Sequence, residues 1–203
     1  MEAVGRVLKL SLHRPSTNAL NRAFGEELFR AFSEVEGMED ISVVVITSAL
    51  EKAFIAGADI KEMAAMDLAE SEAFSKLLQE AYSLLPRMKK IIVAAINGHA
   101  LGGGCELALA CDYRFMTRGK VLIGLPEAGL GIVPGAGGTQ RLPRLIGLSK
   151  ALDILLRGRT FGPDEALEIG LVDRLFDAET FTSEVMEFAT ALASGAGKAL
   201  GAR

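Results

Sequence analysis

Residues 89–112 read "KKIIVAAINGHALGGGCELALACD". The run Ile91–Ile96 is apolar without alternation, as a strand covered on both faces is. Asn97-Gly98 closes it as a turn. Gly102, Gly103 and Gly104 then lead into "CELALAC" (105–111), which reads as a short helix. A strand feeding a helix through a glycine run is an element of an α/β fold. Glu106 is the anomaly in it, because a carboxylate inside an apolar run is costly unless something pairs with it or uses it.

Working outward, the same alternation recurs. "RVLKLSLH" (6–13) has the spacing of a strand, with Val7, Leu8, Leu10 and Leu12 as its apolar positions. "HRPSTNAL" then reads as a turn, with Asn18 as cap of the next helix. Phe24, Leu28, Phe32 and Val35 recur at helical spacing, ending near Gly37. "ISVVVIT" (41–47) is a buried strand, "AFIAGADIKEM" (53–63) a loop centred on Gly57, and 68–85 a helix stopped at Pro86. "DYRFMT" and "KVLIGL" predict two short strands before the Gly/Pro-dense loop "PEAGLGIVPGAGG" (126–138). Helical text follows from Thr139, with further helix starts at Ser149 and at Gly162-Pro163. "LVDRLF" (171–176) predicts a last strand, and 180–192 an amphipathic helix. No composition break separates two full domains, and the text after about Leu156 is the more helical.

The chain has 203 residues, half of them hydrophobic, which suffices for one domain with a sizeable core. A net charge of −4, no tryptophan and two tyrosines speak against a nucleic-acid surface. Two histidines, two cysteines and no CxxC speak against a metal centre or a disulfide framework. The most apolar stretch, 91–110, carries Asn97, His99, Glu106 and four glycines, so it is a poor membrane span. These features predict a soluble protein of a reducing compartment, the cytoplasm.

Three loops carry the chemistry. Gly102–Gly104, between strand and helix, leave amides unpaired at a helix start and let a ligand approach the backbone. Such a place favours negative charge, and Glu106 lies in the first helical turn beside it. The plainer reading, that Glu106 caps its own helix while the glycines only allow tight packing, is about equally favoured by the residues alone. In the second loop, Ala56-Gly57-Ala58-Asp59 can also offer amides. Asp59 reads as a helix cap, and Lys61 as either a solvated lysine or a partner for an anion. The third, "GLPEAGLGIVPGAGGTQR" (124–141), presents Glu127 after the fixed φ of Pro126. Its glycines satisfy neither the Walker pattern, since no lysine follows Gly138, nor G-x-G-x-x-G.

Together, "RPSTNALN", "AFIAGADIKEM", "AAINGHALGGGCELALACDYR", "GLPEAGLGIVPGAGGTQRLPRLIG" and "ALEIGLVDRLF" resemble the enoyl-CoA hydratase/isomerase family, the crotonase superfamily, over nearly the whole chain. The resemblance implies a crotonase-like spiral of ββα repeats over 1–156. A C-terminal helical oligomerisation segment would follow at 157–203, shorter than usual for the family, in a homotrimer or dimer of trimers. It implies an acyl-CoA thioester as ligand, with no cofactor beyond the CoA of the substrate and no metal. On the matching positions, the amides of Ala58 and Gly103 form an oxyanion hole, and Glu106 and Glu127 are the catalytic acids. Ala56, Ile60 and Lys61 match the stretch that contacts CoA, and Gly135 the glycine that lines the water and acyl pocket.

The chemistry so implied is hydration of a trans-2-enoyl-CoA, of the kind used in fatty-acid β-oxidation. Two amide donors would stabilise the enolate-like transition state more than the neutral thioester. Two carboxyls sharing one water can protonate C2 and deliver hydroxide to C3 if one is protonated and the other ionised. Glu127 is assigned as proton donor and Glu106 as water activator, the second acid favouring hydration over reactions that need only one. The alternatives are a Δ3-Δ2-enoyl-CoA isomerase or other crotonase-type reaction, and a non-catalytic acyl-CoA-binding relative.

Overall fold

In the computed structural model, which describes residues 1–195, the strands divide into two sheets. The larger is built from β1 (Glu2–Val4), β2 (Val7–Leu12), β3 (Val43–Ser48), β5 (Ile91–Ile96), β7 (Tyr113–Thr117) and β10 (Arg174–Phe176), in the order β1-β2-β3-β5-β7-β10. All neighbours are parallel except the β1–β2 hairpin. The smaller sheet runs β4 (Ala53–Ala56), β6 (His99–Leu101), β8 (Ile123–Gly124), β9 (Thr160–Phe161), with β9 alone antiparallel.

Each turn of the chain lays one strand in each sheet and then a helix. The first full turn is β3, β4, α2 (Ile60–Ala65) and α3 (Leu68–Leu84), and the second β5, β6 and α4 (Gly103–Leu109). The third is β7, β8, a 3-10 turn at Pro126–Leu130, α5 (Gly138–Ile146) and α6 (Leu148–Arg157). This is the expected ββα spiral. It places the β4–α2, β6–α4 and β8–α5 junctions, one per turn, along the same edge.

The larger sheet is covered on both faces, which explains the unbroken apolar text of its strands. Leu8, Leu10, Val44, Ile46, Ile92, Ala94 and Met116 face the main core, which includes Phe24, Leu28 and Phe32 of α1 (Arg22–Glu36) and Phe74 and Leu78 of α3. Val7, Val43, Val45, Val93 and Phe115 face the other way, onto Phe181, Val185, Phe188 and Ala189 of α8 (Phe181–Ala193). The expected helical text after Leu156 therefore also contributes strands: β9 extends the smaller sheet, β10 the larger, and α7 (Pro163–Glu168) starts at Gly162-Pro163 as predicted. Of the segment 157–203, residues 196–203 lie outside the described residues.

Several local expectations need correction. Asn18 does not cap α1; Asn21 does, accepting from the Phe24 amide at 2.9 Å. Asn18 instead sits fully buried at φ +52, where asparagine is tolerated. Its side chain donates to Ser48 Oγ and the Phe54 carbonyl, each at 2.8 Å, and accepts from the Arg14 amide. "AFIAGADIKEM" is not all loop: Ala53–Ala56 form β4 and helix α2 begins at Ile60, because β4 is paired by β6. "KVLIGL" is strand only at Ile123–Gly124, and the helix expected from Ser149 begins at Leu148 after Gly147.

The glycine run is shaped by packing. A Cβ on Gly104 would overlap the Ile55 carbonyl oxygen of β4 and stand 2.8 Å from the Ile55 Cβ. Neither can move without breaking a fully buried strand. Gly104→Ala is expected to cost about 3 kcal/mol, as other overpacked cores do. That should lower Tm by roughly 6–12 °C in thermal denaturation followed by circular dichroism. An unchanged Tm would show that α4 can back away from β4.

Candidate active site

The three loops meet at one cavity of about 400 Å³, whose wall includes Ala58, Gly103, Glu106, Glu127 and Gly135. The residues expected to act together are thus brought together by the spiral's shared edge.

Ala58 is presented by a short pairing that sequence reading missed. The Leu20 amide donates to the Gly57 carbonyl (2.8 Å) and the Asp59 amide to the Leu20 carbonyl (2.7 Å). In an extended segment, successive amides point to opposite sides. With Asp59 turned toward Leu20, the Ala58 amide is turned away from it, and no protein acceptor among the described residues receives it. Arg14 braces the arrangement by donating to the Ala19 carbonyl at 2.7 Å and pairing with Asp59 at 3.1 Å. The Asp59 carboxyl is held below its usual range chiefly by that guanidinium, and it caps α2 through the Glu62 amide, as predicted.

Gly103 opens α4, and its amide likewise meets no protein acceptor among the described residues. Gly102 before it has φ +54 and ψ −121, and a Cβ there would stand 2.9 Å from Glu127 Oε1. Glycine is therefore required both for the backbone conformation and for the approach of the acid.

Glu106 is 2% exposed and does not cap its own helix, so the plainer reading is set aside. Its Oε1 accepts the amides of Ala136 (2.8 Å) and Gly138 (2.7 Å), which belong to the third loop. Glu127, in the 3-10 turn after Pro126, is 8% exposed, and its Oε2 is buried with no protein partner among the described residues.

Burial raises both carboxyls, to unequal effect. For Glu106 it is opposed by the Gly138 and Ala136 amides and by the nearby Arg141 guanidinium. Glu127 has only a backbone hydrogen bond of its own to oppose burial, and the negative charge of Glu106 adds to the rise, carrying it to about 7. A carboxyl supplied with amide donors beside one left nearly without them is the arrangement that separates two acids into base and acid.

Apart from Ser71 and Ser75, the rest of the wall is apolar, with Met63, Met66, Phe74, Leu78, Leu130 and Ile132 among its residues. Ala56 and Ile60 also line it, whereas Lys61 does not and lies exposed on α2. Among the described residues there is no group of three or more His, Cys, Asp or Glu that could hold a metal ion. None of their helices is long and apolar enough to cross a membrane.

The profile of the family described as enoyl-CoA hydratase/isomerase matches residues 2–202. The chain belongs to the enoyl-CoA hydratase/isomerase family. It is 39% identical to a short-chain-enoyl-CoA hydratase of Clostridium acetobutylicum, the match covering 97% of this chain and 75% of the relative. It is 40% identical to a crotonyl-CoA hydratase of Syntrophomonas wolfei, over 93% of this chain and 73% of the relative. The crystal structure of an enoyl-CoA hydratase from Bacillus anthracis superposes with a TM-score of 0.91 at 39% identity, covering 96% of this chain and 75% of that one. The chain thus spans about three quarters of the length of these family members.

Three site residues had carried no assignment. Arg14 and Leu20 lie within "RPSTNALN" and hold the Ala58 loop. Tyr82, fully buried on α3, has a hydroxyl with no protein partner among the described residues, 3.9 Å from where a Gly103 Cβ would stand. A single tyrosine in amphipathic helical text gives no sign of this. Its surroundings come from two later turns of the spiral.

Proposed function

We propose that this protein hydrates trans-2-enoyl-CoA thioesters to 3-hydroxyacyl-CoA. The observation that carries the reading is the pair of buried carboxyls of unequal hydrogen-bond supply in one cavity with two unclaimed amides. The thioester oxygen is taken up by the Ala58 and Gly103 amides, which donate more strongly as charge develops on it. Each such donor is worth about 3 kcal/mol in the transition state. Ionised Glu106 takes a proton from water, whose oxygen bonds to C3, and protonated Glu127 gives its proton to C2. One water is added in sum, syn, and the proton gained by Glu106 returns to Glu127 before the next turnover.

The apolar wall receives the acyl chain. Ala56 and Ile60 flank the CoA thioester arm, exposed Lys61 stands outside the wall where a cation meets the phosphates, and Gly135 lines the water end. Residues 1–156 carry the site and most of the spiral, to which β9 and β10 add one strand per sheet, and the segment from 157 on is the one through which subunits associate as a homotrimer or dimer of trimers. Leu148, Leu152 and Leu156, which repeat every fourth residue on α6 just before that segment and are 46–75% exposed, add an apolar stripe for such contact. The two unpaired buried thiols suit the cytoplasm.

Crotonyl-CoA is the test substrate, with loss of the conjugated thioester absorbance and a product heavier by one water as readouts. The reading requires turnover. Binding of CoA without any product would make this a non-catalytic acyl-CoA-binding relative.

The pH profile of kcat/KM follows from the same assignments. Activity should rise as Glu106 ionises and fall as Glu127 loses its proton near pH 7, giving a bell. A rate that stays level through that region would remove Glu127 from the donor role.

A further inference from the structure

The loop that feeds amides to Glu106 has little to hold it from within, since Gly135, Gly137 and Gly138 supply no side chains. Its support comes from two helices: Ser75 Oγ and Gln79 Nε2 of α3 donate to the Gly135 carbonyl at 2.6 and 2.7 Å, and α5 supplies Arg141. Arg141 Nη1 donates to the Ala136 carbonyl at 2.8 Å, and that carbonyl shares a peptide group with the Gly137 amide. The other end of the fork reaches Ser83 Oγ on α3 at 3.5 Å. The guanidinium lies so close to Gly137 that any Cβ there would overlap it, and Gly137 has φ +108 besides. A Cβ on Gly138 would in turn stand 3.0 Å from Glu106 Cγ. Two adjacent glycines therefore let the loop pass between the Arg141 guanidinium and the Glu106 carboxyl.

Arg141 makes no ion pair with Glu106 among the described residues, so it acts through the loop and through its field. The other titratable groups that face Glu106 are Glu127 from the 3-10 turn, Tyr82 from α3 and the neighbouring Cys105 on α4. Of these groups Arg141 is the cation, and its charge favours the ionised Glu106 carboxyl.

We propose that Arg141 is a positioning residue for hydration: by gripping the Ala136 carbonyl, it holds the 136–138 amides on the Glu106 carboxylate and fixes its direction toward the water. This rests on the hydration reading given above. A guanidinium suits the task because its planar fork can satisfy a carbonyl and still reach Ser83, whereas an ammonium is a point donor.

The test uses Arg141→Met, which keeps the stem and removes the fork and charge, and Arg141→Lys, which keeps the charge. Two readouts are taken: the Glu106 carboxyl titration by carbon-13 NMR of glutamate-labelled protein, assigned with Glu106→Gln, and steady-state hydration of crotonyl-CoA. Arg141 favours the ionised carboxyl, so its loss should raise the Glu106 midpoint by about one pH unit. The kcat should fall roughly tenfold or more with KM within about twofold, the pattern of a lost transition-state contribution. Arg141→Lys should recover part of both. If the methionine variant does not fold, the lysine variant carries the same readouts at smaller size. A Glu106 midpoint that stays in place while only Tm falls would reduce Arg141 to a structural brace and overturn the proposal. Absence of hydration by the unaltered chain would defeat the functional reading alone, since the titration would still decide the role of Arg141.

Discussion

Glu127→Gln is expected to lower kcat for crotonyl-CoA hydration by about 10³-fold, within the range of general acid–base catalysis, with KM changed little. Glutamine keeps the shape of the side chain and removes the one proton that can reach C2. The effect should be large because burial, with the charge of Glu106 beside it, raises the Glu127 carboxyl to about 7 and so keeps a proton available for C2 below that pH. The neutral amide should fold as well as the parent, for it avoids ionising a group whose Oε2 has no protein partner among the described residues. The variant should therefore show an unchanged or raised Tm at pH 8 beside its loss of turnover. A rate within tenfold of the parent would mean that another group protonates C2.

Glu106→Gln should also lower hydration by about 10²–10⁴-fold, for a different reason. The Ala136 and Gly138 amides can still donate to the glutamine oxygen, so the loop stays in place, but no carboxylate remains to take the proton from water. The two variants should diverge on a second substrate. Moving a double bond from C3 to C2 requires one proton shuttle and no water, and Glu127 suffices for it. Isomerisation of a trans-3-enoyl-CoA that survives Glu106→Gln while hydration is lost would separate the two roles. Hydration retained in Glu106→Gln would transfer water activation to Glu127 or elsewhere.

Much of this site is legible as text because its parts are local. The glycines at 102–104, the acid three residues past Gly103 and the acid after Pro126 each depend on backbone geometry that neighbouring residues impose. The same holds for the cap on α2, where Asp59 needs only the amide three residues on, and for the start of α7 at Gly162-Pro163. Reading fails where a residue's partner is distant in the chain. Asn18 looks like a helix cap in a turn-rich segment, but the groups its side chain donates to lie 30 and 36 residues away, in β3 and β4, which the spiral lays beside it. Glu106 could equally have capped its own helix on local grounds. Its acceptor role toward 136 and 138 exists because the third turn of the spiral brings that loop over the second.

Taken alone, then, the amino-acid order determines most of the alternation of strand and helix, the face that α1 buries, and the placing of two acids among glycine-rich loops, since hydrophobic period and backbone freedom act over a few residues. Only the tertiary structure decides that Ala58 and Gly103 keep free amides on one cavity. It alone separates Glu106, supplied with donors from another turn, from Glu127, left nearly without them, and orients Arg141 onto the loop that supplies them. Those distinctions arise from burial and from hydrogen bonding between turns of the spiral, which set Glu106 against amides 30 and 32 residues further on.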